Sequence, residues 1–365
     1  MMPLADTLWI VNEAKSLGFD LCGVVRAEKF PELNRMPEWL ARGYAGEMKY
    51  LADPRRCDPQ TAMPGIQSAI VGLLNYNTAQ PLSTDPVRPG EDGKSSGWIS
   101  RYAWGVDYHD VLQERLNALM ESLRERFTGP FDARAYVDTG PVQERVLAKY
   151  AGLGWLGKNT LLLNQILGSF FFLGVVLTTL DLEPTLAANE LPPDLCGTCR
   201  RCLDACPTQA FVEPYVMDAR KCISYLTIEL RGPIPKEFRE PMGNHVFGCD
   251  ICQDVCPWNR RAPITATPQF QPRVFPPQDE SLYLPRLEWL LGLGEADFRE
   301  LFRGSPVKRT KWRGLIRNVC IALGNSGVRP GTAEHGRISD LLNRLADSGD
   351  LVLAESARWA LSRIQ

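Results

Sequence analysis

Apolar residues along this chain recur with two different periods. Ile10, Val11, Ala14 and Leu17 return at helical spacing, with Asp6 or Thr7 placed to cap the first turn and Gly18 to stop the last. Continuous apolar runs follow, LCGVV from Leu21 and SAIVGLLNY from Ser68, and these predict short buried strands. ARAYVD from Ala133 predicts another strand, and VQERVLAKYAGL from Val142 a helix. Leu161 to Leu180 holds no charged residue and is long enough to span a bilayer. Asn164, Gln165, Gly168 and Ser169 interrupt it, however, and it runs straight into Asp181. It therefore predicts two buried strands around a turn, LLLN and SFFFLGVVLTTL, and no membrane segment.

Beyond a proline-rich stretch at residues 263–285 the period is helical. Trp312, Leu315, Ile316, Val319, Cys320 and Leu323 form one stripe, and helices carrying Ile338, Leu341, Leu342, Leu345 and then Leu353, Ala357, Ala360, Leu361 follow short loops. Stacked helix pairs of this kind are the HEAT-type unit. Arg309, Arg313 and Arg317 recur every four residues, and from Arg303 through Arg317 six basic residues occur with no acidic one. A run of charge usually marks a solvated face. A one-signed stripe on a chain of net charge −2 also suits a surface that tracks phosphates.

The chain thus divides into an α+β region at 1–185, a cysteine-rich segment at 186–262 entered through a linker at 182–193, and a helical region at 263–365. A Gly/Pro/Ser-rich loop at about 80–98 reads as a lid or a mobile segment. The 44% hydrophobic content over 365 residues is enough for real cores, and the small net charge excludes a global attraction to nucleic acid. No signal-peptide pattern opens the sequence, which points to a cytoplasmic protein, and nothing in it demands more than a monomer.

Eight of the eleven cysteines fall between residues 196 and 256. Cys196, Cys199, Cys202, Cys206 and Pro207 read C-x2-C-x2-C-x3-C-P, and Cys249, Cys252, Cys256 and Pro257 form a second run, with Cys222 between them. This is the bacterial ferredoxin spacing for two 4Fe–4S clusters, in which the last cysteine of a run crosses to the other cluster. Crossing assigns Cys196, Cys199, Cys202 and Cys256 to one cluster, and Cys206, Cys222, Cys249 and Cys252 to the other. A disulfide framework fits poorly at so low a cysteine density. Zinc ribbons use C-x2-C pairs but leave the two C-P runs unexplained. Cys22, Cys57 and Cys320 read as ordinary buried thiols.

Other candidate chemistry is sparse. Gly152, Gly154 and Gly157 match G-x-G-x-x-G but follow a helix, so they are not a dinucleotide turn. With three histidines, His109, His245 and His335, a histidine-based mechanism has little to work with. Asp107-Tyr108-His109 begins like the corrinoid D-x-H-x-x-G signature, but Leu112 stands at the glycine position, so His109 reads as structural or substrate-facing. Asp138 ends a predicted strand ahead of Thr139, Gly140 and Pro141. It could cap a helix, or, in an apolar setting, stay protonated and donate a proton.

In the order VDTGPVQER, AGLGWLGKNT, GSFFFLG, CGTCRRCLDACPTQAF, CISYLTIE, FGCDICQDVCPWN, RNVCIALGNSG, the chain resembles the epoxyqueuosine reductases over nearly its whole length. The resemblance implies an oxidoreductase dependent on cobalamin and two 4Fe–4S clusters. Such an enzyme reduces epoxyqueuosine to queuosine at the wobble position of tRNA, the last step of queuosine biosynthesis, with electrons from an external donor. It implies that 1–185 is a cobalamin-binding catalytic domain similar to reductive dehalogenases, 186–262 a ferredoxin-like domain, and 263–365 HEAT-like helices that grip the anticodon stem-loop. It implies a proton-donor role for Asp138 and corrin contacts from Arg56, Arg101, Asp138, Lys158, Asn159, Ser169 and Ser224. RNA contacts are implied for Arg309, Lys311, Arg313, Arg317 and Asn318. Two other readings stay open, a cobalamin-dependent reductive dehalogenase of small molecules and a non-catalytic electron-transfer protein.

Overall fold

The computed structural model describes residues 2–85, 95–187, 190–276 and 279–364. Four antiparallel strands, Leu21–Arg26, Ser68–Asn75, Phe171–Thr178 and Ala133–Tyr136 in spatial order, form the central sheet. Its apolar runs are continuous because both faces are covered. Ala69, Val71, Leu73, Val175 and Leu177 point into one core with the helix Glu144–Tyr150. Ile70, Leu74, Phe172 and Val176 point into another, beneath the helices Leu4–Ser16 and Tyr108–Arg126. Gly72 permits that second contact, since a Cβ there would lie 2.6 Å from the Phe19 ring.

The Leu161–Leu180 run folds as expected. Leu162–Leu163 and Phe171–Thr178 are strands, joined through an Asn164–Gly168 bridge. Among the described residues no helix is long and apolar enough to cross a membrane. The first helix departs from expectation at its cap. It begins earlier, at Leu4, behind Pro3, so Asp6 and Thr7 lie inside it. Asp6 instead pairs with Arg126 at 3.1 Å, and the Thr7 hydroxyl donates to the Glu183 carbonyl at 2.6 Å. Of the 80–98 loop, residues 86–94 lie outside the described residues.

The cysteine segment is a set of short turns: helices Arg201–Asp204, Ile223–Ile228 and Ile251–Asp254, and a hairpin of Phe211–Glu213 with Val216–Met217. It is not isolated. His245–Phe247 pairs in parallel with Trp98–Ile99, and Trp98, Trp104, Val246 and Phe247 share one core with Leu315, Ile316, Val319 and Cys320 of the helix Lys311–Asn325. That helix packs on Leu351–Ile364, which packs on Ala333–Ala346. The proline-rich stretch expected as a tether is folded down. The Pro263 carbonyl accepts from Asn75 at 2.9 Å, and Phe270 is buried in the core beneath the sheet.

Candidate active site

The cysteines converge in the two crossed groups. Cys196, Cys199, Cys202 and Cys256 line one void of about 240 Å³, closed by Lys158, Leu163 and Trp258. Burial, and then the neighbouring Cys256, Cys196 and Cys199, push the Cys202 thiol up to about 11. Burial, and then Cys222 and Cys252, push Cys249 well above the ordinary thiol range. Donors already face the sulfurs: the Ala210 N–H donates to Cys206 Sγ at 3.3 Å. Lys158 spans the Gly197 and Cys199 carbonyls at 2.5 and 2.9 Å, tying the outer ligand loop to the sheet domain. Thiolates around a space far too large for one ion, with N–H groups aimed at sulfur, fit a four-iron cluster.

Beside this lies a cavity of about 1490 Å³, larger than the roughly 300–1,000 Å³ of ordinary ligand pockets. Its wall takes Met217 and Ile228, which flank Cys222 in sequence, and Trp39, which belongs to the core on which Cys222 and Cys249 pack. Across from them stand Tyr50, Arg56, Pro141 and Val142. The Tyr50 ring lies between two cations, with Arg309 at 5.4 Å and Arg56 at 5.9 Å from its centroid.

Asp138 opens onto this cavity. Its strand ends at Tyr136, and Asp138 itself sits at φ 54, a left-handed conformation a non-glycine residue adopts only when its surroundings impose it. It caps nothing, since the next helix starts at Glu144 behind Gln143 without a side-chain cap. Its Oδ2 accepts from the Tyr108 hydroxyl at 3.0 Å and lies 3.7 Å from His109 Nε2. His109 Nδ1 is 2.7 Å from Asp107, whose other oxygen holds Lys308 at 2.8 Å. Tyr108 is itself clamped by stacking on Phe172, at 4.3 Å and 5°.

The surroundings of Asp138 favour its charged form. Burial pushes its carboxyl up, but the contacts from His109 and Tyr108 and the charge of Arg309 outweigh it, and the group is held below the ordinary carboxylate range. The proton resides next door. Burial works against the His109 cation, yet Asp107 and Asp138 raise it to about 9. Burial and the charge of Asp138 raise the neighbouring Glu144 carboxyl to about 8.

The expected corrin contacts divide. Arg56 and Asp138 line the cavity. Arg101 does not: it is 1% exposed and clamps the Thr78, Gln80 and Pro81 carbonyls. Lys158 and Asn159 line the cysteine void instead. Ser169 is buried against Gln253 and Asn259, at 2.9 Å from each. Ser224 neighbours the Cys222 sulfur.

The basic stripe is broken as well. Arg309 lies in the turn Pro306–Thr310, and Lys311 begins the helix at φ 61, which throws Arg309 out of register. Arg309 pairs with Glu229 at 3.1 Å and Arg313 with Asp350. Arg317 and Asn318 are corrections, because both are buried. Arg317 donates to the Leu226, Leu230 and Gly232 carbonyls and Asn318 to those of Thr227 and Val246, so they fasten the helical region to the cysteine segment. Tyr108 and Glu144 were missed, although Glu144 stands inside the VDTGPVQER motif.

Comparison with known proteins bears on both sites. Residues 195–259 match the 4Fe-4S double cluster binding domain, and residues 56–139 match the model described as Epoxyqueuosine reductase QueG, DUF1730. An epoxyqueuosine reductase of Gloeobacter violaceus is 46% identical over 87% of this chain and 96% of its own length. One from Pseudomonas aeruginosa is 39% identical over 99% of this chain and 98% of its own. A solved epoxyqueuosine reductase bound to an epoxyqueuosine-modified tRNA-Tyr stem loop superposes with a TM-score of 0.84 at 29% identity, covering 99% of this chain and 90% of that one.

Proposed function

The chain belongs to the epoxyqueuosine reductase family, and from that membership we infer how its own residues carry the reduction of epoxyqueuosine to queuosine in tRNA. Removing an epoxide oxygen as water consumes an electron pair and two protons, so the protein must route both. The two cysteine groups are the seats of two 4Fe–4S clusters. Cobalamin fits the cavity. The space is large, and Arg56 and Arg309 line it on the Tyr50 ring beside the apolar Pro141 and Val142, a mix of donors and apolar surface that suits a corrin with its amide fringe. When bound, its reduced cobalt supplies a reductant of carbon that no side chain can match.

The proton path belongs to the chain itself. Asp107 fixes the His109 ring through Nδ1, leaving Nε2–H turned toward Asp138. His109, still charged at neutral pH, holds the first proton, and Asp138, oriented by Tyr108, relays it to the departing oxygen. Glu144 keeps a further proton within the same wall. The core on which Cys222 and Cys249 pack shares Trp39 with this cavity, so electrons come from the cysteine segment and protons from the Asp138 chain.

Arg35, Arg42 and Arg309 on the cavity wall, with Lys311 and Arg313 exposed nearby in sequence to Arg309, offer cations to RNA phosphates. An external electron donor is required, one chain suffices for both sites, and the cytoplasm is where such a substrate resides. The observation that carries this reading is the Asp107–His109–Asp138 chain opening onto a cavity whose wall includes Trp39, a member of the core on which Cys222 packs. The test is anaerobic reconstitution with iron, sulfide and cobalamin, then reaction with an anticodon stem-loop RNA bearing epoxyqueuosine. Queuosine should form with wild type and fall sharply with Asp138→Asn at equal cluster content. Wild-type rates from that variant would refute the role of Asp138.

A further inference from the structure

The two cysteine groups have different surroundings. Cys222 and Cys249 pack against a core of Ile223, Leu226, Ile234 and Met242, next to the cavity wall. The other group sits under an exposed loop in which Gly197, Thr198, Arg200 and Arg201 all face solvent, as does Pro257. The helices Arg201–Asp204 and Ile251–Asp254 pack together, and the first carries Cys202 within it and Cys206 just past its end, so the two groups abut. One group therefore lies under an exposed loop, and the other packs on a core that shares Trp39 with the cavity wall.

The surface over the outer group has a character of its own. Arg200 and Arg201 stand between its ligands, Lys158 lies on its void, and exposed Arg260 and Arg261 follow its closing ligand Cys256. Against these five cations stand the exposed acids Glu190, Asp194, Asp204 and Glu213, and Asp204 lies 3.5 Å from Arg200. Among them is apolar surface. Trp258 lines the void, and Ile166, 70% exposed, tips the turn whose Gly168 abuts Trp258 and Asn259. The segments that cover the outer group thus combine exposed apolar surface with an excess of cations, on a chain of net charge −2.

We propose that the outer cysteine group is the electron entry port and that this cationic patch docks an acidic one-electron carrier protein. Each docking passes one electron, oxidising the carrier and reducing the outer cluster by one, with no bond made or broken. Two dockings supply the pair that one turnover consumes. The proposal rests on the cluster assignment above and is independent of what happens in the cavity.

The experiment follows visible cluster bleaching in the cluster-loaded enzyme, mixed rapidly with photoreduced flavodoxin as the acidic carrier or with dithionite as a small reductant. Because it reads cluster reduction and not queuosine, a failure here and a failure of the tRNA reaction are distinguishable. Steering by a charged patch accelerates association about 10-fold or more at low salt. Arg260→Glu combined with Arg261→Glu should remove that gain with flavodoxin and leave the dithionite rate unchanged, and the difference should shrink as salt is added. Arg200→Glu, which touches neither of those positions, should act in the same direction. Equal flavodoxin rates in wild type and in both variants, or a wild-type rate indifferent to salt, would overturn the proposal.

Discussion

The cysteine segment and the cavity it adjoins are built on opposite plans. The first gathers eight cysteines from residues 196–256, held by one-turn helices and two prolines. The second draws its wall from Glu32 through Arg309, across the sheet domain, the cysteine segment and the turn before the long C-terminal helix. A site made of neighbours depends on local turns; a site made of distant segments depends on everything that fixes those segments against one another. The difference teaches where damage should spread.

The sharpest break in this contrast is Cys249→Ala. It should abolish turnover while leaving cobalamin binding near wild type, checked by iron content and by corrin absorbance on the purified protein. Loss of both together would mean that the two sites do not fold independently. Next comes Asp138→Asn, expected to slow turnover by about 10²–10⁴ in the manner of a lost proton donor, with the cluster spectrum unchanged.

Acidity separates the regions further. His109 is raised from its ordinary value to about 9, so its imidazolium stabilises the fold fully below about pH 6.5 and ceases to do so as pH rises through about 9. Turnover at saturating reductant should decline through the same upper range, and His109→Asn should remove that limb from the profile. Cluster reduction by dithionite should show no such limb.

The smallest effects distinguish two arginines once read as one stripe. Arg317→Met strands three buried carbonyls and should cost on the order of 3 kcal/mol in urea unfolding. Arg313→Ala breaks an exposed pair and should cost about 0–1 kcal/mol. If instead Arg313→Ala were the more destabilising, the helix would be facing the other way.

These arginines also show what a sequence discloses. The cysteine spacing was legible because ligand geometry is local and thiolate chemistry permits few substitutes. The sheet was legible for a related reason: strands buried on both faces, such as Ser68–Asn75, leave continuous apolar runs. The Arg309–Arg313–Arg317 periodicity misled because a helix face is defined only within an unbroken helix, and the left-handed Lys311 breaks it. The stripe also could not say that Arg317 meets helix-end carbonyls inside the protein. Asp138 was legible as a residue but not in its charge, since Tyr108 and Arg309 reach it only through the fold. Arg101 likewise spends its guanidinium on carbonyls of a loop it closes, which no motif records.

The central claim is that electrons entering through the cysteine groups are spent, with protons from the Asp138 wall, on one epoxide. Its most direct test is an anaerobic titration of the reconstituted enzyme and epoxyqueuosine stem-loop RNA with limiting reductant, counting queuosine against electrons. One queuosine for each electron pair is the expected result. Reductant consumed while the RNA stays unchanged, or queuosine formed without reductant, would contradict it.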